Sequence, residues 1–342
     1  MREIAVSTSW PRTIALSLAL LSALQPVPDF TFLEPWFTVE QKDRDTLAHR
    51  GVVVHALPAS DKQIGIVATC AVDLSADQLE PRASAFGADA LGTVKRELIA
   101  GRFSEPPTLD DLARLTLDQG DIDRLRVCRR GECALNLADQ EMSDLQLALT
   151  QPPEAPAGVQ DAFRRVMLAR LARYRSGGLA ALPEYHDRQV PVQPAAVFAA
   201  IRQQIPYLKE HVPAVVEYLE RFPSTEATGT STSMHWSKMI VNDKPVVAIH
   251  HLTTFRPKPG PRIPTVLTVA QTVYASRYMN GELTLWMLFA PGNASPAHLV
   301  YVTRSELDTL GGSFSGLKRS AIEGRMKEAA ARLLQCKSLN GN

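Results

Sequence analysis

Two histidines stand side by side at His250-His251, and such a pair invites a metal-ligating or proton-transfer reading. The segment around them (VVAIHHLTTF) is rich in β-branched residues and reads as a strand. Adjacent strand side chains point to opposite faces, so both imidazoles cannot hold one metal ion. An inward imidazole can act in acid–base work near neutral pH, or it can be a hydrogen-bonded core histidine, the commoner case. His235, Trp236 and Lys238 fall on the preceding extended run (STSMHWSKMI), where Trp236 can wall a pocket or simply pack. Tyr274, Ser276 and Tyr278 alternate along a later run, so their hydroxyls share one face and need partners, from the protein or from a ligand. Arg277 lies on the opposite face within reach of Glu282, a pairing worth little at a surface. His186-Asp187 works as a general-base dyad only if a nucleophile comes from elsewhere.

The remaining reactive patterns fail or stay open. Asp118, Asp121 and Asp123 surround Gly120 but lack the further ligands and the glutamate of a calcium loop, so a capped helix start on a solvated acidic loop is expected. Gly312-Ser313-Phe314-Ser315-Gly316 puts Phe314 where a hydrolase nucleophile should stand. Phosphate loops and dinucleotide fingerprints are absent. These patterns call for no metal and no cofactor. Cys128 and Cys133 flank Arg129-Arg130-Gly131-Glu132 and read as a small disulfide, with two unpaired thiols as the alternative; a zinc site lacks a second ligand pair.

The chain has 342 residues, 45% of them hydrophobic, enough for a large core. Lys plus Arg (37) nearly equals Asp plus Glu (36), and only 6% of residues are aromatic. Neither a phosphate-seeking field nor a base-stacking surface follows, so nucleic acid is not an expected partner. Arg2 and Arg12 bracket a mostly polar lead, and Ile14 to Leu24 forms an apolar run of about eleven residues. That run suits an export signal and is short for a membrane span, which takes about 20 residues. An uncleaved anchor and a buried helix are the alternatives. No other segment is apolar enough, so no stable membrane span is expected after signal cleavage.

The elements that must position these groups read as follows. Residues 1–24 are the signal peptide, 25–50 a linker, and 51–150 an N-terminal α+β segment that contributes strands, beginning with VVVHAL and QIGIVATCAVDL. Ser75 opens a helix candidate, and 88–101 can be strand or helix. Residues 151–228 form a helical insertion after a Pro/Ala linker. Its first helix, Val159 to Tyr174, carries an apolar stripe, with Arg164, Arg165, Arg170 and Arg173 on a solvated side that can also meet a partner. Residues 229–342 form an antiparallel sheet plus a C-terminal helix. Asn242-Asp243 joins one hairpin, and Asn280-Gly281 is expected to join the next through a two-residue turn. That register gathers Tyr274, Ser276, Tyr278, Leu283, Leu285 and Met287 on an interior face and Glu282, Thr284 and Trp286 on the other. A strand at His298–Arg304 and an amphipathic helix from Leu317 to Cys336 close the chain.

This order over residues 231–336 resembles the START and polyketide-cyclase-like (SRPBCC) superfamily, whose helix-grip domains enclose an apolar ligand between a curved antiparallel sheet and a long C-terminal helix. The segments YASRYMNGELTLWML and YVTRSELDTLGGSFSGLKRSAIEGRMK also resemble exported bacterial proteins without an assigned activity. The expected fold is therefore α+β and helix-grip-like, with a helical insertion. The resemblance implies a binder of an apolar or amphipathic small molecule, or a lipid; with the export signal, the expectation is a periplasmic or secreted carrier whose cavity is lined by Trp236, His250, Tyr274, Ser276, Tyr278, Leu285 and Met287. An enzyme on the same scaffold using histidine, or a non-catalytic interaction module of the cell envelope, are the alternatives.

Overall fold

The computed structural model describes residues 30–60, 62–73, 75, 77–79, 99–152, 158–225, 229–258, 260–290, 296–310 and 315–334. The signal-peptide segment, most of the stretch 88–101, the serine-flanked Phe314 and Cys336 lie outside them.

Eight antiparallel strands form one open sheet: β1 (Val53–Leu57), β2 (Gln63–Val72), β3 (Ile99–Arg102), β4 (Ser231–Val241), β5 (Lys244–Phe255), β6 (Val266–Ala275), β7 (Met279–Phe289) and β8 (Ala297–Leu307). Their order, β1-β2-β8-β7-β6-β5-β4-β3, places the N-terminal hairpin beside the last strand. The fold is α+β. Strands from the N-terminal segment flank the five C-terminal ones on both sides.

Turn chemistry explains one hairpin and misleads on the next. Asn242 (φ 49°) and Asp243 (φ 60°) join β4 to β5 in the left-handed conformation that their short polar side chains tolerate, as expected. The β6–β7 connection is a correction: it runs through Ser276, Arg277 and Tyr278, with Tyr278 at φ 68°, while Asn280 and Gly281 lie inside β7 at a register shift. Glu282 consequently pairs with Thr272 and Met287 with Leu267, where the sequence pattern had paired Met279 with Glu282 and Tyr274 with Met287. Gly281 serves packing: a β-carbon there would lie 3.0 Å from both Val197 and Phe198. Its missing side chain lets a helix approach the strand closely.

Every residue of β6 and β7 is buried, because the sheet is covered on both faces. One face carries the helical layer: α4 (Val159–Gly177), α5 (Pro194–Gln203), α6 (Pro206–His211) and α7 (Pro213–Arg221), preceded by α1 (Gln41–Ala48), α2 (Gln119–Leu125) and α3 (Asp139–Ala148). Leu283, Leu285 and Met287 pack there with Val197, Ile201 and Leu219, while Trp236 and Tyr274 pack with Phe163, Met167 and Leu171. The other face meets α8 (Ser315–Leu333), whose Ile322, Met326 and Ala330 contact the cluster of Ile64, Ile66, Trp286 and Tyr301. At about 25 cal/mol per Å² of apolar surface, such two-sided burial is the main stabilising term.

Three charges expected at the surface lie inside. Arg170 of α4 is 1% exposed, bonded to Glu141 and the Asn136 carbonyl, with its guanidinium 4.2 Å from the Tyr274 ring centre. Asp121 and Arg277 are both buried and ion-paired with each other; the expected Arg277–Glu282 surface bridge is not made. Asp118 instead pairs with Lys238 at 2.5 Å, which ties the acidic segment to the edge of the sheet. Cys128 and Cys133 form a disulfide, and Cys70 is disulfide-bonded as well. Among the described residues no helix is long and apolar enough to cross a membrane.

Candidate functional site

Strand register builds a row of polar side chains across the α8 side of the sheet. Arg102 pairs with His235, His235 with His250, His250 with Thr272, Thr272 with Glu282, and Glu282 with Ser305. Hydrogen bonds connect much of it. His250 Nε2 bonds Ser237 Oγ at 2.8 Å and its Nδ1 bonds Thr272 Oγ1 at 3.1 Å. Ser305 Oγ donates to Glu282 Oε2 at 2.6 Å. Burial raises the Glu282 pKa above the usual carboxylate value, and hydroxyls of Ser305, Thr303 and Thr272 offset part of that rise. No cation is paired with Glu282 among the described residues. Burial also lowers His250 to about 4 and His235 to about 4, the latter assisted by Arg102. Both imidazoles are therefore neutral at physiological pH.

Ser305 carries this row to the wall of a cavity of about 100 Å³. The cavity sits between the sheet and α8. Val246, Met279, Leu307, Ile322 and Met326 supply its apolar surface, Tyr278 and Thr309 add hydroxyls, and Arg277 and Arg325 add positive charge. The turn geometry matters here, because the shift of the hairpin to residues 276–278 is what brings Arg277 and Tyr278 to the cavity.

The residues singled out from the sequence scatter over the sheet. Tyr278 lines this cavity. His250 lies on the same side of the sheet, within the polar row. Leu285 and Met287 are fully buried on the opposite face, under the helical layer. Trp236 and Tyr274 belong to the core beneath α4, where Trp236 Nε1 donates to the Asp111 carbonyl at 2.8 Å. Ser276 Oγ accepts the Val247 N–H at 2.9 Å and so shapes the turn. His251 points away from His250, as strand alternation requires, and bonds Tyr174 at 2.7 Å and Thr232 at 2.6 Å. Burial lowers it to about 3.

No protein-family model and no curated protein matches the chain. The site is thus read from its own chemistry. Among the described residues, no group of three or more His, Cys, Asp or Glu side chains could hold a metal ion. What the arrangement can do is enclose a small apolar group, with a hydroxyl on its wall and guanidinium groups beside it.

Sequence reasoning missed Glu282, Ser305, Arg277 and Arg325 as one group. A signal was present. Thr268, Thr272, Glu282, Thr284, Thr303 and Ser305 recur at period two beside apolar residues, which marks a second covered face with a polar seam. Arg325 reads locally as an ordinary solvated helix residue, and nothing in its own window places it at a cavity.

Proposed function

We propose that this is an exported, soluble protein that binds a small apolar or amphipathic molecule between its sheet and its C-terminal helix, in the manner of a helix-grip domain. The observation that carries the reading is the partly open, largely apolar cavity lined by Val246, Met279, Leu307, Ile322 and Met326 at that junction. At about 100 Å³ it is smaller than the roughly 300–1,000 Å³ of most small-molecule sites. It suits a compact molecule, or the tip of a lipid chain. Disulfide bonding at Cys128–Cys133 and at Cys70 supports an oxidising compartment, periplasmic or extracellular. The acid–base alternative has less behind it, because His235 and His250 are hydrogen-bonded and held neutral by burial.

Native mass spectrometry of the protein purified from its own host compartment, against a denatured control, tests this. A small-molecule adduct that is lost on denaturation and absent from a Met326→Trp variant is the expected result. An adduct equally abundant in that variant would sink the assignment to this cavity.

A further inference from the structure

The cavity between α8 and the sheet is unbalanced in charge. Arg277 reaches it from the β6–β7 turn and Arg325 from α8, and among the described residues no aspartate or glutamate lines it. One of these cations is already answered: Arg277 Nη2 is paired with Asp121. The Arg277 side chain is nonetheless buried, and its Nε–H finds no acceptor among the described residues. A buried donor left unmet is costly, and an acceptor brought by a ligand removes that cost. Among the described residues Arg325 makes only neutral bonds, from Nη1 to Asn242 Oδ1 at 3.1 Å and from Nε to the Ala321 carbonyl at 3.4 Å. The site therefore carries one cation in excess beside an aliphatic wall.

Resting on the binding role proposed above, we infer that the occupant is a compact organic carboxylate. Its head is held by Arg325 and by the free Nε–H of Arg277, and its short apolar tail packs against Val246, Met279, Ile322 and Met326. A guanidinium presents a planar fork of donors that matches two carboxylate oxygens. One spare positive charge balances a monoanion, whereas a phosphate ester carries close to two negative charges at neutral pH. The small volume excludes a bulky head with a long tail lying wholly inside. An engineered apolar cavity of about 150 Å³ accepts benzene, so a branched acid of similar bulk sets the scale.

Calorimetric titration of the full protein with isovalerate and, separately, with isovaleramide tests the charge requirement, since the two probes share a shape. Isovalerate is expected to bind, with isovaleramide at least tenfold weaker. Arg325→Gln, a change at an exposed side chain, should erase most of that difference, and Met326→Trp should abolish binding of both. Equal affinity for acid and amide overturns the carboxylate inference while leaving cavity binding intact. Undiminished isovalerate binding to Met326→Trp places the site elsewhere and overturns both. If neither probe binds, the carboxylate inference fails, and the native-mass adduct decides the wider reading independently.

Discussion

Asp121 and Arg277, separated by 156 residues, form an ion pair in which both side chains are almost wholly shielded from water. The pair fastens the start of α2 to the turn that edges the cavity. Removing one partner strands the other charge in a poorly solvating place, at a cost of about 3–5 kcal/mol. Asp121→Ala should therefore destabilise strongly, also losing the 3.2 Å contact with Arg124. Replacing both residues, as Asp121→Leu with Arg277→Met, should recover most of the loss. Urea unfolding of the wild type, Asp121→Leu, Arg277→Met and the double variant forms a double-mutant cycle, and simple additivity would contradict a coupled pair.

Acid should weaken the fold before its carboxylates are neutralised. Burial lowers His235, His250 and His298 to about 4 and His251 to about 3. Between the ordinary histidine value and those values the unfolded chain binds more protons, so stability is full above about pH 6.5 and falls as pH drops toward 4. For His250, the step from 6.5 to about 4 is worth about 3 kcal/mol. Urea midpoints at pH 7.5 and 5.0 should differ in the wild type and differ less in His250→Asn. A pH-independent midpoint would show that these imidazoles stay solvated.

Glu282 acts with the opposite sign. Its folded pKa is raised, so the folded protein holds the proton more tightly and the unfavourable buried charge is felt mainly at neutral and higher pH. Glu282→Gln keeps an acceptor for Ser305 and removes the charge. The variant should melt a few degrees higher at pH 7.5, roughly the shift expected for 1 kcal/mol, with the gain shrinking toward pH 5. A lower melting temperature at both pH values would mean that the carboxylate is stabilised by groups other than the hydroxyls of Ser305, Thr303 and Thr272.

The Cys128–Cys133 bridge closes a loop with a sequence separation of 5. Chain-entropy reasoning for so short a loop gives about 2 kcal/mol. Cys128→Ser/Cys133→Ser should lower the unfolding free energy by that amount without loosening the sheet, because the loop lies outside it. Since no free cysteine is present among the described residues, the wild-type protein should also resist thiol alkylation unless reduced. Ready labelling of the unreduced protein would argue against export into an oxidising space.

Local signals were legible in the sequence and long-range ones were not. The hairpin at Asn242-Asp243, the strand pair 53–57 and 63–72, and the helix from Val159 were readable because propensity and pattern act within a few residues. Asn280-Gly281 misled because Gly281 answers to the crowding of Val197 and Phe198, which no local window contains. Arg170 looked solvated for the same reason: its partner Glu141 is 29 residues away, and the rings that flank it come from Tyr185 and Tyr274. Alternation along β6 and β7 was read as inside against outside, although both sides are inside. Glu282 and Ser305 were lost in that misreading, and with them the buried polar row that Ser305 carries to the cavity wall.

The sheet order also governs when folding can finish. Arg304 reaches the Pro58 carbonyl across 246 residues at 2.9 Å, and β2 has no neighbour on one side until β8 exists. At about 5–20 residues per second, a ribosome needs roughly 10–50 s to add that much chain. Throughout that interval the N-terminal hairpin offers an open edge and the central pairing is missing. Under the export proposed above, this delay would keep the chain threadable through a translocation channel, because its architecture leaves β2 unpaired on that side until β8 has been made.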